Sequence, residues 1–314
     1  METKENIINF LERISKSFNF NKIWLKNSFL KTRVISILGF LEKEFNFEEF
    51  LKLFIFGNIN GSLIKFRFYR ERKVLELLKK EKLILGENKI ILFNQEFYFI
   101  NPFEMISQIY SSIINDQYHL KDFLKEDSVF MDVGANIGVV SVFASQIIKK
   151  GKIFSFEPSG STFEILKKNL EPYKKICEIL NFALGDKSGK VKFIEFYRGF
   201  GGNMVYNSEE RSTFEKKFQN NQTLIEEVEM ITIDEFISNK GINRVDLIKI
   251  DVEGYEMNVI EGAKETIFNF SPIIVIGDIN FQKTVEIKNT IKKINHKYEF
   301  KQENKIDNIL ICYS

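Results

Sequence analysis

Three acidic residues within six positions, Asp251, Glu253 and Glu256, follow the apolar run Leu247-Ile248-Lys249-Ile250. A short apolar run of this kind reads as a buried strand. Asp251 then stands at the carboxyl end of that strand, where α/β sheets bind their ligands. A carboxylate there can take the proton of a hydroxyl or hold an ammonium group, and both readings stand. Glu253 is the second catalytic candidate. Glu256 falls in the first turn of the next helix and reads as a partner of the helix dipole. Lys249 lies inside the apolar strand, where an ammonium is costly unless paired, so pairing with a carboxylate is the expectation. The three carboxylates raise the question of a divalent cation, but no further ligand cluster accompanies them and no metal is assigned. His119 precedes the strand at Val129-Phe130-Met131 and is a third catalytic candidate, because histidine titrates near neutral pH. Its neighbour Tyr118 could close over a cofactor, but reads chiefly as packing.

A second constellation is Asp132-Val133-Gly134-Ala135-Asn136-Ile137-Gly138, between a strand and a helix. A glycine-rich turn there lets the backbone approach a ligand closely. The following strand, Lys152 to Phe156, ends in Glu157-Pro158. An acidic residue at that strand end can accept hydrogen bonds from both ribose hydroxyls of an adenosine cofactor. The dinucleotide fingerprint Gly-x-Gly-x-x-Gly is missing: Asn136 stands where a glycine would meet the pyrophosphate, and Asp132 would repel one. S-adenosylmethionine carries no phosphate and bears an ammonium and a sulfonium, so this turn favours it over a nicotinamide dinucleotide.

The elements that must position these residues are legible as a pattern. Short apolar strands alternate with helical stretches: strand Val129-Phe130-Met131, helix 139–148, strand 152–156, helix 161–170, strand 177–182, strand 245–250, helix 255–268, strand 272–276, helix 284–294 and late strands around Tyr298 and 308–312. Such alternation predicts an α/β fold, a doubly wound, mostly parallel Rossmann-like sheet. Ahead of it, Lys89 to Ile100 reads as a hairpin turning at Asn94-Gln95, and Phe103 to Ile114 as an amphipathic helix. Residues 1–88 carry helical periodicity and predict a helical N-terminal domain, a cap or a surface for homo-oligomer contacts. The cofactor-binding domain is then 89–314, with 89–126 leading in. A polar stretch between Phe193 and Val228 is expected to overhang the strand ends as a substrate lid. Within it, Arg198 and Arg211 are candidates to meet an acidic sugar.

These motifs resemble the FkbM-type methyltransferases. The resemblance rests on Phe130 to Gly138, Phe156-Glu157-Pro158, Ala183-Leu184-Gly185-Asp186 and Ile248 to Glu256, in that order, and does not cover residues 1–88. It implies a class I methyltransferase fold and transfer of a methyl group from S-adenosylmethionine, usually to a hydroxyl oxygen. By position it implies that Asp132, Gly134, Ala135, Asn136 and Gly138 line the methionine side of the cofactor. Glu157 and Pro158 would hold the ribose, Asn181, Phe182 and Ala183 would border the adenine, and Asp251 would face the methyl group. One departure stands out. The family commonly has a glutamate after the strand that here is Pro272 to Ile276, whereas this chain has Gly277-Asp278.

Composition narrows the partners. The chain has 314 residues, with 45 basic and 43 acidic side chains, a formal net charge of +2. A dedicated nucleic-acid binder needs a larger basic surplus, so none is expected. Two cysteines, Cys177 and Cys312, build no disulfide framework. Neither a signal peptide nor an apolar stretch of membrane-spanning length is read from the sequence. The expectation is a cytoplasmic O-methyltransferase whose acceptor is a small molecule or a glycan precursor. The rivals are a non-catalytic binding protein on the same fold and a nicotinamide-dependent oxidoreductase.

Overall fold

In the computed structural model, three short strands open the described part of the chain: β1 (Leu83–Ile84), β2 (Lys89–Leu92) and β3 (Gln95–Tyr98), paired antiparallel in the order β1-β2-β3. The described residues are 83–84, 89–100, 105, 108–196, 203–205, 223–277, 279, 281–303 and 308–314. The helices expected before residue 83, together with Arg198, Arg211 and Asp278, lie outside them. The chain divides into two compact units, Met1–Tyr98 and Phe99–Ser314. β2 and β3 form the expected hairpin, but Leu92 pairs with Gln95, so the turn residues are Phe93 and Asn94. Their φ values are 53° and 63°, the mirror-image turn whose twist matches that of the flanking strands.

The second unit begins its described structure with a π-helical turn, Ile109–Ile114, in place of the last part of the expected α-helix. The short helix α1 (Leu120–Phe123) follows. Then come β4 (Val129–Val133), α2 (Val139–Ile147), β5 (Lys152–Phe156), α3 (Gly160–Leu170), β6 (Cys177–Leu180), β7 (Ala183–Leu184), β8 (Gly189–Phe196), β9 (Met204–Val205) and β10 (Thr223–Ile231). The chain continues through α4 (Ile233–Lys240), β11 (Leu247–Ile250), α5 (Glu256–Glu261), α6 (Lys264–Phe270), β12 (Ile273–Ile276), α7 (Phe281–Ile294), β13 (Glu299–Glu303) and β14 (Ile309–Tyr313).

Seven of these strands form one sheet in the order β13-β14-β12-β11-β4-β5-β6. The five from β12 to β6 are parallel, and β14 and β13 add an antiparallel edge. This is the expected α/β architecture. Met131, Phe154, Phe156, Ile248, Ile250 and Ile274 are buried in its core. The caps follow local chemistry: the Ser159 hydroxyl accepts from the Thr162 amide at the start of α3, and Thr232 does the same for Glu235 at the start of α4.

Three expectations are corrected. The strand over 177–182 stops at Leu180, because the Asn181 side chain turns to bind the carbonyls of Glu157 and Pro158 at 2.9 and 3.0 Å. The helix over 255–268 breaks into α5 and α6 at Gly262-Ala263. A Cβ on Gly262 would lie 1.9 Å from the Gly185 carbonyl oxygen, and Asp234 caps α6 through the Glu265 and Thr266 amides. The flanks of the 193–228 stretch are strands and not lid, while residues 197–202 and 206–222, where the expected lid falls, lie outside the described residues. These strands belong to a second sheet, β7-β10-β8-β9, in which β8 and β10 pair antiparallel over eight residues.

Candidate active site

β4 lies between β5 and β11, and all three run parallel, so their carboxyl ends open on the same side. A cavity of about 280 Å³ lies there, near the lower end for small-molecule pockets. It is lined by Val133 to Asn136 after β4, Phe156 to Pro158 after β5, Phe182 to Leu184 after β6 and Asp251 to Glu253 after β11. The second sheet contributes Phe193, Asn203 and Val205, and the π-helical turn and the segment after it contribute Ser111, Ser112, Gln117 and Tyr118.

The turn after β4 is shaped by its neighbours. Gly134 has φ 78°, and a Cβ there would lie 2.0 Å from the Asp251 carbonyl oxygen, so only glycine fits. The Gly134 and Ala135 amides donate to the Phe156 carbonyl at 3.1 and 2.8 Å. Asn136 has φ 51°, and its side-chain oxygen accepts from the Ile137 amide at 2.7 Å. Gly138 does not line the cavity. Its φ is 90°, and a Cβ would meet the Leu166 side chain at 2.7 Å, so it serves the packing of α2 against α3.

Asp132 is also placed away from the cavity. It is fully buried, and its ladder partner across β11 is Lys249. The Lys249 ammonium lies 3.1 Å from an Asp132 carboxylate oxygen and donates to the Gly134 carbonyl at 2.7 Å. The Ser141 hydroxyl donates to Asp132 at 2.6 Å and contacts Ser155 at 2.7 Å. The expected cofactor contact of Asp132 is thus corrected. The carboxylate neutralises a buried lysine from the adjacent strand and, through it, holds the Gly134 turn.

Glu157 lines the cavity and is itself only 5% exposed. One carboxylate oxygen accepts from the Asn136 amide and the other from the Ser159 amide, each at 2.9 Å. Burial outweighs these bonds and pushes its pKa up to about 7. Asn181 does not line the cavity but clamps the Glu157-Pro158 backbone from outside.

On the facing side, the Tyr118 hydroxyl donates to the Asp251 carboxylate at 2.7 Å. Burial, then the Asp251 charge, raises the Tyr118 pKa well above its ordinary value, so the phenol stays a donor. A Cβ on Gly277 would sit 3.2 Å from the Asp251 carboxyl carbon and 3.3 Å from the Tyr118 ring. The missing side chain after β12 therefore leaves room for the Tyr118–Asp251 pair. Glu253 lines the cavity with φ 53°. Glu256 does not; it accepts from the Gly254 amide at 2.8 Å and lies 3.8 Å from Lys283. His119 is not brought to the cavity either. Its ring nitrogens face Asp122 at 3.0 Å and Glu303 at 3.1 Å, so both are engaged elsewhere. The sequence favours packing for Tyr118 over closure on a cofactor; the residue lines the cavity, and nothing in the local sequence signals its reach to a residue 133 positions away.

Gly134 at the turn, the doubly anchored Glu157 carboxylate and Asp251 all fall within one stretch that matches a known family. Residues 132–302 match the model of the methyltransferase FkbM domain. The chain belongs to the FkbM methyltransferase family. Membership of the FkbM family implies S-adenosylmethionine as methyl donor and agrees with the Rossmann-like sheet. Among relatives, the chain is 28% identical over 184 residues to the AMB antimetabolite synthetase AmbE of Pseudomonas aeruginosa, covering 50% of this chain and 9% of that one. It is 27% identical over 148 residues to the 2-O-methyltransferase NoeI of Sinorhizobium fredii, covering 46% and 60%. It is 26% identical over 151 residues to the hexuronic acid methyltransferase AglP of Haloferax volcanii, covering 48% and 56%. The chain thus spans less than two thirds of the length of each of these three relatives. Among the described residues, no helix is long and apolar enough to cross a membrane.

Proposed function

We propose that this FkbM-family protein is a cytoplasmic enzyme that transfers a methyl group from S-adenosylmethionine to a hydroxyl oxygen of a saccharide or glycan precursor. The observation that carries the reading is the Glu157 carboxylate, fixed by two backbone amides beside the Gly134 turn, with Asp251 across the same cavity. A carboxylate with remaining acceptor capacity suits a ribose diol. A glycine at position 134, where no side chain fits, suits close approach of the protein backbone to the cofactor. Gly134, Ala135, Asn136, Glu157, Pro158, Phe182 and Ala183 would hold S-adenosylmethionine, which supplies a methyl carbon already activated by its sulfonium. The name of NoeI, a 2-O-methyltransferase, supports an oxygen acceptor, that of AglP, a hexuronic acid methyltransferase, supports a sugar, and the two free, buried cysteines agree with a reducing compartment.

In this reading the protein's own work is alignment and proton removal. The cavity walls align the acceptor, an effect that reaches about 7–11 kcal/mol in the best cases. Asp251 takes the proton of the acceptor hydroxyl, and the Tyr118 hydroxyl holds Asp251 in one orientation. Glu253 stands within the same cavity as the second acidic candidate.

Calorimetric titration tests the cofactor half of the proposal. S-adenosylhomocysteine should bind and NAD should not. Glu157→Ala should weaken S-adenosylhomocysteine by roughly 10–150-fold, the worth of one hydrogen bond to a charged group. The pH dependence follows from the raised pKa of Glu157. The diol needs the ionised carboxylate, which the apo site disfavours, so affinity should rise with pH. With a pKa of about 7, the ionised fraction, and so the affinity, grows about tenfold between roughly pH 6 and pH 8. The apo protein should show the opposite sign. Its folded pKa lies above the unfolded value, so the stability this group contributes declines as pH rises from about 4.5 towards 7. A flat binding profile over that range would remove Glu157 from the ribose.

A further inference from the structure

The second sheet grips the segment between β5 and α3 that carries Glu157. Glu195, on β8, is only 5% exposed. A carboxylate so deeply buried is costly unless hydrogen-bonded. Both of its oxygens are engaged: the Ser161 hydroxyl donates to one at 2.5 Å and the Ser159 hydroxyl to the other at 3.2 Å. On the paired strand β10, Glu226 presents a carboxylate oxygen 3.5 Å from the Gly160 amide nitrogen. Two neighbouring strands thus direct acids at the amino end of α3, where the helix dipole favours negative charge.

This grip bears on Glu157 through Ser159. Ser159 is fully buried, and it joins the two carboxylates: its amide donates to Glu157 at 2.9 Å and its hydroxyl donates to Glu195. Among the groups that favour ionised Glu157, the Ser159 amide acts most strongly. Ser159 caps α3 from outside the helix and is followed by Gly160, whose missing side chain leaves the turn permissive. The direction of the Ser159 amide then depends on what holds its side chain. That is the Thr162 amide of the helix and the Glu195 carboxylate of the second sheet.

We propose that Glu195 is a positioning residue for the cofactor site: through the Ser159 and Ser161 hydroxyls it fixes the turn that aims the Glu157 carboxylate at the ribose. Glu195 itself does not line the cavity, so its effect on the cofactor passes through Glu157. The proposal deepens the assignment of Glu157 to the ribose and rests on it.

Calorimetric titration of the full chain with S-adenosylhomocysteine tests it in Glu195→Ala, Glu195→Gln, Glu157→Ala and the double variant Glu157→Ala/Glu195→Ala. Glu195→Ala should weaken binding about tenfold, the worth of one ordinary hydrogen bond lost at the anchor. Glu195→Gln keeps an acceptor for Ser161 and should stay within about threefold of the wild type. In the Glu157→Ala background the change of Glu195 to alanine should cost less than about twofold, because residues acting through one another are not additive. Wild-type affinity in Glu195→Ala, equal losses in both backgrounds, or a glutamine variant as weak as the alanine one would overturn the proposal and leave Glu157 on the ribose. Absence of binding to the wild type, or wild-type affinity in Glu157→Ala, overturns the ribose reading and the proposal with it. Should Glu195→Ala fail to fold, Ser161→Ala carries the test. Ser161 is exposed; its change should weaken binding about threefold, and unchanged affinity overturns the proposal.

Discussion

Asp251→Asn should lower kcat by about 10²–10⁴-fold, the usual worth of a general base, with S-adenosylhomocysteine affinity nearly unchanged. Asparagine keeps the shape, and its side-chain oxygen still accepts from the Tyr118 hydroxyl, which now lies 2.7 Å from the carboxylate. What is lost is the capacity to take a proton. The comparison of kcat with binding decides between the two roles that the sequence left open for this residue. If Asp251 anchors the cofactor ammonium instead, the variant loses binding and retains turnover at saturating cofactor. Tyr118→Phe is the companion measurement. Removing the hydroxyl frees the carboxylate to rotate, so kcat should fall about tenfold, the equivalent of one ordinary hydrogen bond, with cofactor binding retained.

Lys249→Met should destabilise the second unit by about 3–5 kcal/mol, the typical cost of removing one partner of a buried ion pair. Both members are shielded from water, Lys249 at 3% and Asp132 at 0% side-chain exposure. The variant leaves the Asp132 carboxylate in the sheet interior with only the Ser141 hydroxyl as donor, and it frees the Gly134 carbonyl. For a domain of this size the melting temperature should drop by roughly 6–20 °C. Pairing the change with Asp132→Leu should recover most of the loss, because the penalty belongs to the uncompensated charge rather than to the absent attraction. Denaturant midpoints of the two variants check this. A single variant within about 1 kcal/mol of the wild type, or a double variant no better than the single, would show that the pair is solvated after all.

The sheet strands were legible because each is a short apolar run with a sharp end. β4, β5, β11 and β12 carry little beyond Val, Ile, Leu, Phe and Met, and burial on both faces leaves few polar interruptions to misread. Glu157 and Asp251 were legible for the same reason: a charged residue directly after such a run must leave the core at the strand end. Asp132 and Lys249 were only half legible. The lysine announced that it needed a partner, but a strand pattern says nothing about which strand lies next to which. The register that sets Lys249 opposite Asp132 is a property of the assembled sheet. The amphipathic helix ending at Ile114 was legible, but not its π winding, since the apolar spacing of Ile109, Tyr110, Ile113 and Ile114 suits both α and π turns.

The sequence by itself determined the class of fold, the order of the motifs and the family, because these depend on local composition and on spacing along the chain. The tertiary structure alone decided which carboxylates face the cavity. It turned Asp132 inward to a lysine, occupied His119 with Asp122 and Glu303, and brought Tyr118 to Asp251 through the space beside Gly277. It also folded the flanks of the polar stretch between residues 193 and 228 into a second sheet that supplies one cavity wall. The physical reason is that a side chain's electrostatic partners are set by distance in space, and Tyr118–Asp251, Asp132–Lys249 and His119–Glu303 are each separated by more than a hundred residues of chain.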